Sequence, residues 1–425
     1  MPMPMLANLT PDVALAEKLF DELRDAGFDG VGITRDAYGA GERRAHEIVR
    51  AAAAGIGLEC RVDPIGNLLM TLPGADRAAK RVLLGSHLDS VAEGGNFDGA
   101  AGVLVGLAAL SGMRRAGFVP GRDVAVVALR AEEAGSWFPI SYPGSRGALG
   151  LLKPEELAVQ RQDNGRSLAD HLRDEGFAPE FVERGGRSFS KDDTAAFLEL
   201  HIEQGPVLEG QGVPVGIVTG IPGSRRLRAA RVLGEYNHSG ATPRKYRRDA
   251  AIALAELAYR VDDRWVALEA RGHALVVTFC VMGTTADAGF TKIAGEARFQ
   301  LDVRSVNPRS CDLLMETLYE AVPEIEARRG VRFELGAETT SRAAPMDAGI
   351  QAGLADAATA LGVQHLAMAS GAGHDAAAFA MAGIPAGMIF VRNQNGSHNP
   401  KEAMRMDDFA EAAAVVTRWA SEASQ

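Results

Sequence analysis

The chain has 425 residues, of which 47% are hydrophobic and 24% charged, with a net charge of −10 and three cysteines. That length exceeds one comfortable core and makes two domains the expectation. The acidic balance disfavours non-specific nucleic-acid binding and attachment to anionic membranes, both of which need basic patches; it leaves anionic small substrates open, since a local Arg can bind them. The cysteines (Cys60, Cys280, Cys311) are scattered without a C-x-x-C pair, as suits a reducing compartment. The opening "MPMPMLANLTPD" lacks the basic and apolar regions of a signal peptide, and no apolar run is long enough to span a bilayer. A cytoplasmic location is the expectation.

Residues 10–27 carry an amphipathic helical pattern opened by "TPD", and "ERRAHEIVRAAAAGIGL" a second helix ending near Gly55. "CRVDPIGNLLMTLPG" has the turn-punctuated look of a hairpin. "RVLLGSHLD" is apolar almost without alternation, as a central parallel strand is. "GAAGVLVGLAALSGMRRAG" reads as a small-residue helix and "DVAVVALRAEEAG" as another buried strand. This order predicts an α/β fold: a mixed central sheet flanked by helices. From residue 216 the texture changes to alternating strands ("VGIVTGIPGSRRLRAARVLG", "ALVVTFCVMG", "EARFQLDVRS") and two long helices, the mark of a small α+β domain with an antiparallel sheet. After 336 the α/β texture returns through "AGLADAATALG", "AGMIFVRN" and a helix from about Met406. The expected organisation is a main domain of residues 1–215 and 336–425 with residues 216–335 inserted as a smaller domain.

Titratable groups gather where the buried strands end, which is where α/β sheets hold ligands. "GSHLDSVAEGGNFDG" supplies His87, Asp89 and Asp98; "RAEEAG" supplies Glu132 and Glu133; "LELHIEQGP" supplies Glu199, His201 and Glu203; "GSHNP" supplies His398. Histidines and carboxylates with an open position for water suit a catalytic divalent metal, and this set is large enough for two ions sharing one carboxylate. In the doublet, one Glu can ligate while its neighbour serves as a general base. Asp89, two residues after His87, lies on the same strand face and can orient its imidazole. A phosphate-cradling loop fits poorly, because "GGNFDGAAG" lacks the Lys-Ser/Thr ending and carries an Asp; no G-x-S-x-G nucleophile elbow is present. Each residue alone also has an ordinary reading: a satisfied core histidine, a solvated carboxylate pair, a turn.

Taken in order, "GSHLDSVAEGGNFDGAAGVLVGL", "AEEAGSWFPISYPGSRGALG", "LELHIEQGPVLE", "HSGATPRKYRRDA", "LDVRS", "SGAGHDA" and "GSHNPKE" resemble the hydantoinase/carbamoylase branch of the M20 metallopeptidase superfamily, over roughly residues 60–410. The resemblance implies a zinc-peptidase-like catalytic domain with an inserted lid and dimerisation domain. It implies two divalent ions, zinc or manganese, with cobalt or nickel also allowed by the ligand types. His87, Asp98 and His201 would hold one, and Asp98, Glu133 and His398 the other. Glu132 would be the general base, with Asp89 a further catalytic residue through the His87 imidazole that it orients. His238 would reach across a homodimer to stabilise the oxyanion. Arg304 would pair with the substrate carboxylate, and Gln204, Gly371, Ala372 and Gly373 would line the pocket.

Two departures stand out. Thr291 occupies the place where such proteins usually carry an Asn for the substrate carboxylate, and Trp137 stands near a usual Arg. The implied reaction is hydrolysis of the C–N bond of an N-carbamoyl or ureido group on an amino-acid-like carboxylate. The alternatives are an aminoacylase or dipeptidase of the same superfamily and a non-catalytic metal-dependent binding protein.

Overall fold

The strand Val124–Leu129 is buried at every position, and Arg81–His87 at every position after the first. Their unbroken apolar runs follow from having both faces covered. The computed structural model describes residues 9–425; residues 1–8, part of the stretch without a leader pattern, lie outside the described residues. An eight-stranded mixed sheet runs in the order Glu59–Val62, Leu68–Leu72, Val124–Leu129, Arg81–His87, Thr194–Ile202, Ala386–Val391, Val215–Val218, His365–Met368. The four strands from Val124–Leu129 to Ala386–Val391 are mutually parallel, so their carboxyl ends share one edge.

Side-chain alternation divides the layers. Ala196, Leu198, Leu200 and Ile202 join one continuous core with helices Val13–Gly27, Ala40–Gly55, Ala100–Arg115, Ala348–Leu361 and Met406–Ala423. Phe197 points to the other face, where its ring stacks 3.8 Å from Phe379 of helix Asp375–Met381. Helix Ala100–Arg115 is buried from residue 100 to 113, which its all-round apolar composition permits; each fully buried Leu or Val side chain contributes about 1.5–3 kcal/mol.

The described chain divides into two compact units, one running to Thr219 and resuming at Pro345–Gln425, the other Gly220–Ala344. The second unit is a five-stranded antiparallel sheet, with Gly223–Leu233 paired to Glu296–Ser305, Arg332–Glu334 and Glu338–Ser341, and Val276–Thr284 at one edge. Helices Ala250–Glu269 and Pro308–Arg329 build its separate core against the buried face. The return to the larger unit falls after Ala344 rather than at residue 336, because Glu338–Ser341 completes the smaller sheet. That four-residue strand is polar and mostly exposed, so it carries no apolar pattern from which to read it. No described helix is long and apolar enough to cross a membrane.

Candidate metal centre and active site

The parallel strands deliver their last residues to one place. His87 ends its strand, and His201 is one residue short of the end of Thr194–Ile202. Both point to the face opposite the large helical core. Glu132 and Glu133 open a 3-10 turn, Glu132–Ser136, after a left-handed Ala131 (φ 58°). Asp98 precedes helix Ala100–Arg115, with Gly99 between them at φ 66°. A side chain on Gly99 would start 2.3 Å from the His87 ring, so both the backbone angle and the space require glycine.

Two residue groups among those described bring ligand atoms within 4.8 Å of one another: His87, Asp98 and His201, all buried; and Asp98, Glu133 and His398. Asp98 belongs to both. Its Oδ1 lies 3.2 Å from His201 Nε2 and 3.5 Å from His87 Nε2, and its Oδ2 lies 3.7 Å from His398 Nε2. His398 Nε2 is 2.7 Å from Glu133 Oε1. Asp98 Oδ1 is buried without a hydrogen-bond partner. A cation among these atoms would satisfy it together with both imidazoles, and the donor set of nitrogens and carboxylates fits a borderline divalent metal.

Protonation states follow from this crowding. Burial alone would depress His87, but Glu132, Asp89 and Asp98 outweigh it and raise its pKa well above the ordinary value. Burial would raise Asp98, yet His201, His87 and His398 hold it well below the usual carboxylate range. Burial raises Glu132 well above that range, aided by Glu133, Asp375 and Asp89 and opposed by His87. Glu132 Oε2 lies 3.7 Å from His87 Nε2, at the edge of the ligand cluster, where a proton acceptor for a bound water belongs.

Asp89 does more than its spacing suggests. Its backbone oxygen is 3.1 Å and its Oδ1 3.3 Å from His87 Nδ1, while its carboxylate accepts the backbone N–H groups of Glu132 (3.0 Å) and Glu133 (2.9 Å). One side chain thus touches the His87 imidazole and fixes the turn bearing the doublet. Gln204 (φ 64°) donates from Nε2 to Asp98 Oδ2 at 2.7 Å, and its backbone N–H is held by Asn393 Oδ1. The loop bearing Gly371, Ala372 and Gly373 leads to His374, whose ring packs 4.5 Å from that of His201 and whose Nε2 meets Ser370 Oγ at 3.0 Å. Trp137 donates from Nε1 to the Ser90 carbonyl, and Arg161 stacks 4.8 Å over its ring.

The remaining expected residues lie in the smaller unit. His238 sits exposed in a two-residue strand paired with Lys292–Ile293, and the Thr291 carbonyl accepts the N–H of Ser239 beside it. His238 Nδ1 accepts the N–H groups of Gly240 and Ala241 at 3.1 and 3.0 Å. The neutral imidazole therefore carries its proton on Nε2, the form that can donate to an oxyanion. Arg304 donates from Nε and Nη2 to Asp302 Oδ2. Burial would raise Asp302, but Arg304 and Arg226 outweigh it and hold it low.

Several supporting groups escape sequence reasoning. Glu42 is buried and accepts the N–H groups of Tyr38 and Ala131 and the Arg130 guanidinium; burial, against the pull of Arg130, pushes it up to about 7. Asp375 accepts from Ser145 Oγ, and burial with Glu199 pushes it up to about 8. Arg35, also buried, donates to the Leu88 carbonyl and Asn96. Asp375 lies within the quoted "SGAGHDA", whereas Arg35 and Glu42 precede every motif segment.

Comparison with known proteins gives the family of the chain. The peptidase family M20/M25/M40 matches residues 83–422. An N-carbamoyl-L-amino-acid amidohydrolase of Paenarthrobacter aurescens is 34% identical over 96% of this chain and 98% of its own length. An allantoate amidohydrolase of Escherichia coli (strain K12) is 33% identical over 91% of each chain. The crystal structure of a hydantoinase/carbamoylase family amidase from Burkholderia ambifaria superposes with a TM-score of 0.86 at 32% identity, covering 98% of both chains.

Proposed function

Since the chain belongs to peptidase family M20/M25/M40, in its hydantoinase/carbamoylase branch, we propose that it is a two-metal amidohydrolase cleaving the C–N bond of an N-carbamoyl or ureido group on a carboxylate-bearing substrate. The observation that carries the two-ion reading is Asp98, whose two carboxylate oxygens face different ligand groups. His87, Asp98 and His201 would hold one ion and Asp98, Glu133 and His398 the other. Zinc and manganese suit these ligands, as do cobalt and nickel.

When bound, such ions supply Lewis-acid activation of water and of the substrate carbonyl. Glu132 takes the proton of the attacking water and returns it to the departing amine. The carbamic acid so released decays to carbon dioxide and ammonia. Asp89 keeps the Glu132 turn and the His87 ring in register. His238 donates from Nε2 to the carbonyl oxygen as it gains charge. In the smaller unit Arg304, whose planar fork suits a carboxylate, and Thr291 would serve the substrate carboxylate; in the larger unit Gln204 and the Gly371, Ala372 and Gly373 backbone would face the substrate.

The larger unit is then the catalytic domain and the smaller a lid and dimerisation domain. Homodimerisation is supported by the exposed edge strand Val276–Thr284, which shows Val276, Val281 and Met282, and by exposed Ile252, Tyr259 and Val266 along helix Ala250–Glu269. The unpaired cysteines support a cytoplasmic location.

The test is ammonia release from N-carbamoyl-L-amino acids, N-carbamoyl-β-alanine, allantoate and ureidoglycolate, using metal-stripped protein with and without manganese or zinc. Metal-dependent release from one of these is expected. Cleavage of N-acetyl or dipeptide substrates instead would move the protein to the aminoacylase reading, and silence on all would favour a binding protein.

A further inference from the structure

We propose that Glu402 is a positioning residue that keys the His398 segment to Asp98, so that the Asp98–Glu133–His398 site depends on it more than the His87–Asp98–His201 site does. This rests on the two-ion reading above.

The Glu402 side chain is 8% exposed, and all three of its hydrogen-bond donors belong to ligand-bearing segments. Its Oε1 accepts the backbone N–H groups of Phe97 (2.8 Å) and Asp98 (3.2 Å). Its Oε2 accepts Ser397 Oγ at 2.6 Å, and Ser397 Oγ also lies 2.5 Å from Asp98 Oδ2. One carboxylate therefore grips the backbone of the shared ligand and, through the residue preceding it, the segment of His398. Space confirms the fit from outside: a side chain on Gly95 would start 2.1 Å from the Glu402 carboxyl carbon. On the carbonyl side of the same segment, Arg35 Nη2 reaches the Asn96 oxygen (3.4 Å) and Nε the Leu88 oxygen (2.6 Å). The Asp98 loop is thus held at its amides by Glu402 and at a carbonyl by Arg35.

The asymmetry follows from what else holds each ligand. His87 and His201 sit on interior strands and are buried; they stay in place without Glu402. His398 lies in a loop at φ 59° with its side chain 49% exposed; its side chain meets Glu133 and Gln204, but no strand holds its backbone, so its place depends on how that loop is anchored. Groups of this kind, which touch ligands rather than the ion, typically change metal affinity about 10–100-fold.

The experiment is calorimetric titration of zinc or manganese into metal-free full-length protein, with thermal melts alongside. His398→Ala identifies which binding step belongs to its site. Glu402→Ala is expected to weaken that step about 10–100-fold and the other by much less. Glu402→Gln, whose amide oxygen can still accept both N–H groups while its NH2 donates to Ser397, is expected to restore most of the loss. Ser397→Ala, which leaves no large void, is expected to weaken the same step alone. Two steps unchanged in Glu402→Ala and Ser397→Ala, or both steps weakened equally, overturn the role of Glu402 and leave the two-ion reading standing. A wild-type protein that takes up one ion overturns both.

Discussion

The two units carry their candidate groups in opposite ways. In the larger, His87 and His201 are 0% and 1% exposed on strand ends, and neighbouring side chains already hold the Glu132 turn. In the smaller, His238 and Thr291 are exposed in a short paired segment, and Arg304 is engaged with Asp302. The difference matches the task assigned to each. A cation site and its general base work only if geometry is fixed before the ligand arrives, because charges crowded in a dry site must not relax. Groups that meet substrate need a fixed orientation, which the two N–H groups on Nδ1 give the His238 ring, and they can stay in water until substrate arrives.

The largest effect separates the units most sharply. Glu132→Gln keeps the shape of the base and removes its proton affinity, so kcat is expected to fall by about 10²–10⁴ with metal content unchanged. Loss of metal instead would make Glu132 a ligand and collapse the division of roles between it and Glu133. His238→Ala is expected to lower kcat by about 10²–10³ with the metal sites intact. Mixing inactive Glu132→Gln and His238→Ala subunits then asks where His238 acts. If it serves the partner's site, mixed dimers regain activity; additive inactivity at every mixing ratio would confine His238 to its own chain.

How far these roles were legible depended on the kind of constraint. Buried parallel strands announce themselves, because covering both faces leaves unbroken runs such as "VAVVAL", and the groups at their carboxyl ends were readable as a set. The role proposed for Asp98, a carboxylate shared between two ligand groups, came from the family resemblance; its two-sided geometry comes from the turn at Gly99, which no periodicity reveals. Glu42 and Arg35 could not be found, since a charged residue in an amphipathic helix or loop looks solvated until long-range packing buries it. The strand Glu338–Ser341 was missed for the converse reason: as a polar edge strand it carries no pattern, and only its pairing with Gly223–Leu233 assigns it. The roles proposed for His238 and Arg304 rest on resemblance, because an exposed His in a short paired segment has no local mark that sets it apart from a loop His.

The smallest expected effect refines the description of the larger unit, whose ligands are not equally sheltered. In the metal-free protein the hydrogen bond to Glu133, strengthened by the charges of Glu133, Asp98 and Glu402, raises His398 from 6.5 to about 9, while burial opposes the shift. Since the folded value lies above the unfolded one, the pair stabilises the metal-free fold fully below pH 6.5, and this contribution fades as pH rises through about 9. Half-exposure of the imidazole keeps the contribution modest. Imidazole NMR of metal-free protein should therefore place the His398 midpoint near 9, and Glu133→Gln should bring it back toward 6.5. Added zinc should abolish the titration outright, because the ion takes the nitrogen that the proton held. A midpoint near 6.5 in the unaltered protein would mean that Glu133 and His398 do not meet without metal, and that the exposed half of the site is assembled only when its ligand arrives.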